Sequence, residues 1–298
     1  MSDPQLGPFE PRLVRQRKRR ARESFRDAAF LHARVAADLA DRLEAIPRPF
    51  PDVLVLGGYE AFDQEMQMRD DLPRRVGRSS VVRADFAGGD VTIDPEHLPF
   101  APHSFDLIVS PLALHWINDL PGALIQLRLA LKPDGLLLAS LFGGETLHEL
   151  RLSLIEAESE LTGGAGPRVS PFADLQDIAG LLQRAGFALP AADRDVVTVR
   201  YGEPMRLLAD LRAMGETSAL RERSPRGLSR RILARAFEIY RERYSEDDRV
   251  RATFEILTAT GWSPHESQQK PLKPGSAKTR LADALNTKER SAGEKPGG

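Results

Sequence analysis

The chain of 298 residues contains no cysteine. That excludes disulfides, a thiol nucleophile and thiolate-held zinc or iron–sulfur centres, and it suits a reducing compartment. Net charge is also scarce: 42 Lys and Arg against 43 Asp and Glu leave -1, so no overall field draws the chain toward nucleic acid. No apolar run approaches the ~20 residues that a membrane-spanning helix needs. The opening MSDPQLGPFEP has no apolar core of the kind a secretory signal carries. These absences lead us to expect a cytoplasmic protein whose mature chain starts at residue 1, with no transmembrane segment and no nucleic-acid partner. What remains is ample apolar material, 41% of the residues, enough for one large α/β domain or one with a small annex.

Charge is unevenly distributed. Arg12, Arg15, Arg17, Lys18, Arg19, Arg20 and Arg22 crowd one N-terminal stretch. Such a stretch suits an acidic partner, a peripheral membrane contact or plain solvation.

The most informative region is 98–144. Phe105-Asp106-Leu107-Ile108-Val109-Ser110 reads as a buried strand ending on a small polar residue. Leu120, Leu124, Leu127 and Leu131 then fall on one helix face. Lys132-Pro133-Asp134-Gly135 should stop that helix, because proline cannot continue it and glycine takes the turn. The near-continuous apolar run 136–142 follows, the pattern of a strand covered on both faces. A strand–helix–strand unit of this kind calls for a parallel sheet, with ligand sites at the carboxyl ends of its strands.

Other elements are expected at 23–45 (one helix), 53–56 (strand), 61–72 (helix) and 80–85 (strand). A helix follows at 146–161, and another opens at Ser170 as N-cap and ends at Ala185-Gly186. The last expected elements are a strand at 195–201, helices at 204–214 and 228–243, and a strand at 250–260. No serine-elbow, Walker or zinc-binding spacing occurs. Glu145, His148 and Glu149 read as an acidic first helical turn rather than a metal cluster, and no metal is expected.

LPF, SFDLIVS, LKPDG and the apolar strand after it resemble the central block of class I S-adenosylmethionine-dependent methyltransferases. LHWINDLP, FGGETLHELR, SPFADLQDIAGLLQRAGF, TGWSPHESQQKP and PGSA resemble a narrower group. It is the methyltransferase-like assembly factor of respiratory complex I, similar also to the biotin-pathway malonyl-carrier-protein methyltransferase. The resemblance implies a Rossmann-like, seven-stranded, mostly parallel sheet with a C-terminal β-hairpin, helices on both faces and a helical cover at about 204–243. The organisation expected is an N-terminal basic helical segment at 1–50, the methyltransferase-like domain at 51–264 and a flexible tail at 265–298.

The same resemblance implies S-adenosylmethionine as cofactor and an arginine-hydroxylase-like enzyme. Its partner would be an iron–sulfur subunit of complex I. Two alternatives stay open: a small-molecule or carrier-protein methyltransferase, and a non-catalytic assembly chaperone.

Residue by residue, the cofactor expectation falls on Gly57, Gly58, Asp85, Asp94, Ser110 and Leu112. Asp85 would take ribose hydroxyls and Asp94 the adenine amine. The family's first strand ends in an acid followed by three alternate glycines. Here Val55 stands for the acid, Gly57 is kept, and Tyr59 and Ala61 replace the other two glycines. A non-glycine residue forced to positive φ would cost ~1–2 kcal/mol. Methyl transfer needs mainly alignment of nucleophile and methyl group. The catalytic expectation therefore rests on position, with His115 as base or orienting group and Trp116 as a wall for a planar or cationic group.

Overall fold

A computed structural model describes residues 7–94, 96–223 and 227–268. Two helices open the chain, α1 (Pro11–Ala28) and α2 (Phe30–Glu44). β1 (Phe50–Leu56) follows, then α3 (Tyr59–Gln67), the single turn α4 (Leu72–Arg75), β2 (Val76–Asp85) and β3 (Val91–Thr92). β4 (Phe105–Pro111), α5 (Leu120–Ala130) and β5 (Leu131–Phe142) form the strand–helix–strand unit read from the sequence. After them come α6 (His148–Thr162), α7 (Leu175–Arg184), β6 (Ala188–Tyr201), α8 (Pro204–Ala213), α9 (Arg230–Tyr244), β7 (Ser245–Glu246) and β8 (Arg249–Trp262).

The strands join in one sheet of order β3-β2-β1-β4-β5-β8-β6, with β7 paired to β8. Pairing is parallel from β3 through β5 and antiparallel where β8 meets β5 and β6. Seven strands lie on this path, as expected, and the short β7 is an eighth. The antiparallel C-terminal pair is present as expected: β6 and β8 are neighbours, with α8 and α9 between them in sequence. A tight turn joins β7 to β8, where Asp247 and Asp248 both take positive φ, 49° and 59°, as a primed two-residue turn demands.

Alternation along the central strands supplies both faces of the core. Val53 and Val55 enter one apolar cluster with Leu31, Val35 and Leu39 of α2, while Leu54 and Leu56 enter another with Leu124 and Leu127 of α5. All of these are buried, and each such side chain contributes ~1.5–3 kcal/mol relative to exposure. The helix of 120–130 begins where its sequence says it should: the Asp119 side chain accepts from the Gly122 N–H at 2.9 Å, with Pro121 beside it in the first turn.

Four local expectations are revised. The helix expected at 23–45 is two helices that break at Ala29, whose backbone (φ -77°, ψ 28°) leaves the helical region. Helix 61–72 starts two residues earlier and stops at Gln67. Ser170 does not cap a helix, because 143 and 173 form a parallel β-bridge that holds this stretch extended, and Asp174 occupies the N-cap position of α7. Strand 195–201 begins at Ala188 instead, since β8 pairs with it along its whole length. The N-terminal segment belongs to the compact unit Met1–His265. A second unit takes Glu266–Gly298, and the tail expected at 265–298 lies almost wholly outside the described residues. No described helix is long and apolar enough to cross a membrane.

Candidate functional site

β1 has β2 on one side and β4 on the other, so the carboxyl end of β1 is the switch point at which open α/β sheets place ligands. The turn there uses both of its glycines. Gly57 has φ +69° and Gly58 φ +54°, and a Cβ on Gly58 would lie 2.5 Å from the Pro111 carbonyl oxygen. Tyr59 and Ala61 are already helical, in the first turns of α3. The expected strain at these two positions is therefore absent: the helix starts earlier than the family's glycine spacing implies, and neither residue takes positive φ. The Tyr59 hydroxyl accepts from the Gly89 N–H at 3.2 Å.

Beyond this turn lies a small cavity of about 40 Å³. Gly58, Asp85, Ala87 and Gly88 line it from the sheet side, and Lys18, Arg22 and Phe25 of α1 line it from the other. Two expected cofactor residues, Gly58 and Asp85, thus meet in one place. Burial raises the Asp85 carboxyl above its usual range, against the pull of Lys18. Gly57 supports the same turn. Ser110 is buried and donates from Oγ to the Leu56 carbonyl at 3.0 Å, tying β4 to β1 instead of facing the cavity. Leu112 holds a left-handed backbone (φ 52°) and donates its N–H to the Ser140 carbonyl at 2.9 Å. Asp94 is not brought in: its carboxylate accepts from the Glu96 N–H and faces the exposed His97 at 3.6 Å, away from the cavity lining.

His115 and Trp116 occupy a short 3₁₀ turn past β4 and converge on a residue that the sequence reading missed, Glu216. His115 Nε2 lies 2.9 Å and Trp116 Nε1 3.0 Å from Glu216 Oε2. Glu216 Oε1 accepts from the Lys18 ammonium and lies 3.9 Å from His32 Nε2. Burial alone would raise the Glu216 carboxyl, but Lys18 and His115 outweigh it and hold the group well below the usual carboxylate range. Burial lowers the His115 imidazole below its ordinary value despite the adjacent carboxylate, and pushes His32 down to about 3.

His115 is therefore a neutral imidazole beside an ionised carboxylate. A carboxylate can only accept, so Nε2 carries the proton and Nδ1 keeps its lone pair. That Nδ1 is buried and has no hydrogen-bond partner in the described structure. Trp116 is not an open wall here, since it is buried and Phe9 meets its ring edge-on at 5.3 Å. Glu216 follows the helix 204–213 in Met214-Gly215-Glu216-Thr217-Ser218, and the only available sequence signal was an acid placed directly after a helix-ending glycine.

A second, larger cavity of about 680 Å³ lies beyond the carboxyl end of β5, lined by Arg151, Ile155, Arg168, Val169, Leu220 and Arg221 among others. Phe172, next to its lining residue Pro171, lies 6.0 Å from the His115 ring. Among the described residues no group of His, Asp and Glu is arranged to hold a metal ion.

Comparison with known proteins agrees with this architecture. Residues 59–139 match the methyltransferase domain family. The arginine-hydroxylase NDUFAF5, mitochondrial, of Danio rerio is 40% identical over 262 residues, covering 85% of this chain and 81% of that protein. Its Homo sapiens counterpart is 40% identical over 283 residues, covering 91% and 81%. A malonyl-[acyl-carrier protein] O-methyltransferase of Xylella fastidiosa is 32% identical over 276 residues, covering 87% and 90%. Among solved structures, the 1,6-didemethyltoxoflavin-N1-methyltransferase of Burkholderia thailandensis superposes with a TM-score of 0.43 at 13% identity, covering 89% and 92%. With a parallel methyltransferase-type sheet and close identity along most of both chains, the protein belongs to the arginine-hydroxylase NDUFAF5 family, which is built on the methyltransferase domain.

Proposed function

We propose that this chain modifies an arginine side chain of a protein substrate, an iron–sulfur subunit of respiratory complex I, during assembly of that complex. The observation that carries the reading is the ionised, buried Glu216 beside the cofactor-side cavity. A desolvated carboxylate is the natural receptor for a guanidinium, which matches it with paired N–H donors. In the described structure the Lys18 ammonium fills that cationic position. Identity also favours this reading, at 40% to the arginine hydroxylases against 32% to the carrier-protein methyltransferase.

The residues at the switch point suit S-adenosylmethionine in kind. Gly57 and Gly58 give close backbone approach, and Asp85 can accept from a pair of ribose hydroxyls. Bound there, the cofactor would supply an electrophilic sulfonium; the chain's own part is to orient and to hold protons. His115 Nδ1 is the candidate base, and Glu216 fixes its tautomer. Hydroxylation inserts one oxygen atom of dioxygen into the side chain and releases the other as water, with two electrons and two protons from an external reductant, so the protein's share is again positioning and exclusion of bulk water. We place the protein in the cytoplasmic compartment, as its sequence suggests.

Mass spectrometry of the target subunit tests the reading. An added oxygen on one arginine in cells with the gene, and its loss on deletion together with complex I activity, is the expected result. Biotin auxotrophy on deletion with complex I intact would instead identify the carrier-protein methyltransferase. Lost complex I activity with an arginine unmodified in both strains would leave a chaperone.

A further inference from the structure

A row of unneutralised charge lies on the outer face of α1. Val14, Ala21 and Phe25 bury one side of this helix. Arg12, Arg15, Arg19, Arg22 and Arg26 follow one another at spacings of three and four, and all are exposed. At 3.6 residues per turn they form one stripe, roughly 80° wide and about 21 Å long, on the side away from the buried residues.

Arginines on other elements are paired with acids. Arg34, Arg42, Arg69, Arg83, Arg235 and Arg243 each hold a carboxylate at 2.5–2.8 Å. Among the described residues no arginine of the stripe has a carboxylate within ion-pair distance; Arg15 donates from Nε to the Phe86 carbonyl at 3.1 Å. Arg22 and Arg26 act on Glu60 by charge, without an ion pair. Like charges three and four apart on a helix repel, and each step of the stripe is such a pair.

The stripe also has shape. Arg12, Arg15 and Arg19 line a groove of about 440 Å³ with Leu13, Gln16 and Arg223, the last of these held by Glu10 at 2.8 Å. A compact anion would be met by the groove alone, yet the row continues beyond it to Arg26, which calls for an elongated ligand. A membrane fits poorly, because the exposed Glu23 and Asp27 border the stripe and would face the headgroup charge. Single-stranded nucleic acid fits poorly too, because no exposed aromatic stands among the arginines to stack a base. Guanidinium forks match carboxylates in pairs, and a helix with acids three and four apart repeats at the pitch of this one.

We propose that the outer face of α1 is a docking surface for an acidic helix of a partner protein, whose carboxylates pair with Arg12, Arg15, Arg19 and Arg26. Arg22 is left out because it also lines the small cavity. A basic residue of the same partner helix would meet Glu23 and Asp27. The surface needs neither a bound cofactor nor a modified arginine, so it stands apart from the reaction.

The probe is a labelled synthetic helical peptide with glutamates three and four apart on an alanine and glutamine background. The full chain should raise its fluorescence anisotropy at low salt, and a twin with glutamine for every glutamate should stay free. Arg12→Gln with Arg19→Gln removes two exposed charges that have no ion-pair partner among the described residues. It should weaken the acidic peptide by about tenfold, the worth of two surface ion pairs. Arg78→Gln with Arg184→Gln, equally exposed but on β2 and α7, should leave the affinity unchanged. Thermal midpoints no lower than the parent's keep a fold defect from passing for a lost contact.

Equal weakening in the two double variants reduces the effect to general surface charge and overturns the proposal. So does an acidic peptide that fails to bind the unsubstituted chain. Vesicles of phosphatidylserine and phosphatidylcholine that retain the chain through Arg12 and Arg19, while the peptide stays free, would give the stripe to a membrane instead.

Discussion

The imidazole of His115 and the carboxylate of Glu216 meet at 2.9 Å, both sealed from water, although 101 positions separate them in the chain. The contact orders α8 and the loop after it against the end of β4. Because the Lys18 ammonium shares the same carboxylate, Glu216→Gln strands a largely buried cation and should cost ~3–5 kcal/mol, the usual loss on breaking a buried pair. Lys18→Met combined with Glu216→Gln should cost clearly less than the two single losses added together. Denaturant unfolding of the three variants checks this, and strict additivity would show that the two groups do not act as a pair.

His115→Gln keeps a hydrogen-bonding amide near Glu216 and removes the imidazole base. If Nδ1 takes a proton from the substrate, arginine modification in cells should fall by about 10²–10⁴-fold with S-adenosylhomocysteine affinity unchanged. Product at the unsubstituted level, read by mass spectrometry of the target subunit, would reduce His115 to a packing residue.

The glycine turn makes an inverted prediction. Gly58→Ala puts a Cβ 2.5 Å from the Pro111 carbonyl at a positive φ, and should lower stability by ~1–2 kcal/mol from backbone conformation alone, with the clash in addition. Restoring the family's glycine pattern by Tyr59→Gly should also destabilise, by ~1 kcal/mol, because residue 59 is helical and glycine is a poor helix former. Thermal midpoints of the two variants decide it; a Tyr59→Gly protein more stable than the parent would contradict the helical assignment.

Acid stability follows from His32, whose imidazole is held at about 3 against ~6.5 in an unfolded chain. Below pH ~6.5 the unfolded state binds a proton that the folded state refuses, so this group's stabilisation is complete above pH ~6.5 and is lost as pH falls toward 3. The slope from this one group approaches ~1.4 kcal/mol per pH unit. Glu216, with its carboxyl held low, adds loss of the same sign below the ordinary carboxylate range. Unfolding free energies at pH 7, 6 and 5 should decline, and His32→Leu should flatten the decline between 6.5 and 5. An unchanged slope in that variant would move the effect to another group.

The sheet was legible because its signal is periodic. Runs such as Val53-Leu54-Val55-Leu56 and 136–142 can be buried on two faces only as central strands, and 120–131 has one apolar stripe. The polar cluster was half legible: His115 and Trp116 follow a readable strand, but their common partner is a single acid about a hundred residues on, and no local pattern ties it to them. The Ala29 break escaped notice because neither glycine nor proline marks it. Tyr59 was misjudged for the opposite reason: family spacing suggested a strained turn where the chain simply begins a helix one residue after Gly58.

The attachments of α1 and the residues just before it join 8–24 to 213–221, some two hundred positions of chain. A growing polypeptide makes its N-terminal part first, so the first helix is complete long before the stretch it docks on exists. During synthesis the strands around Gly58 and Asp85 can thus pair while the space above them is still uncovered. That closure has to wait for residues 213–221, and it falls on the cavity where a small molecule would have to be taken in.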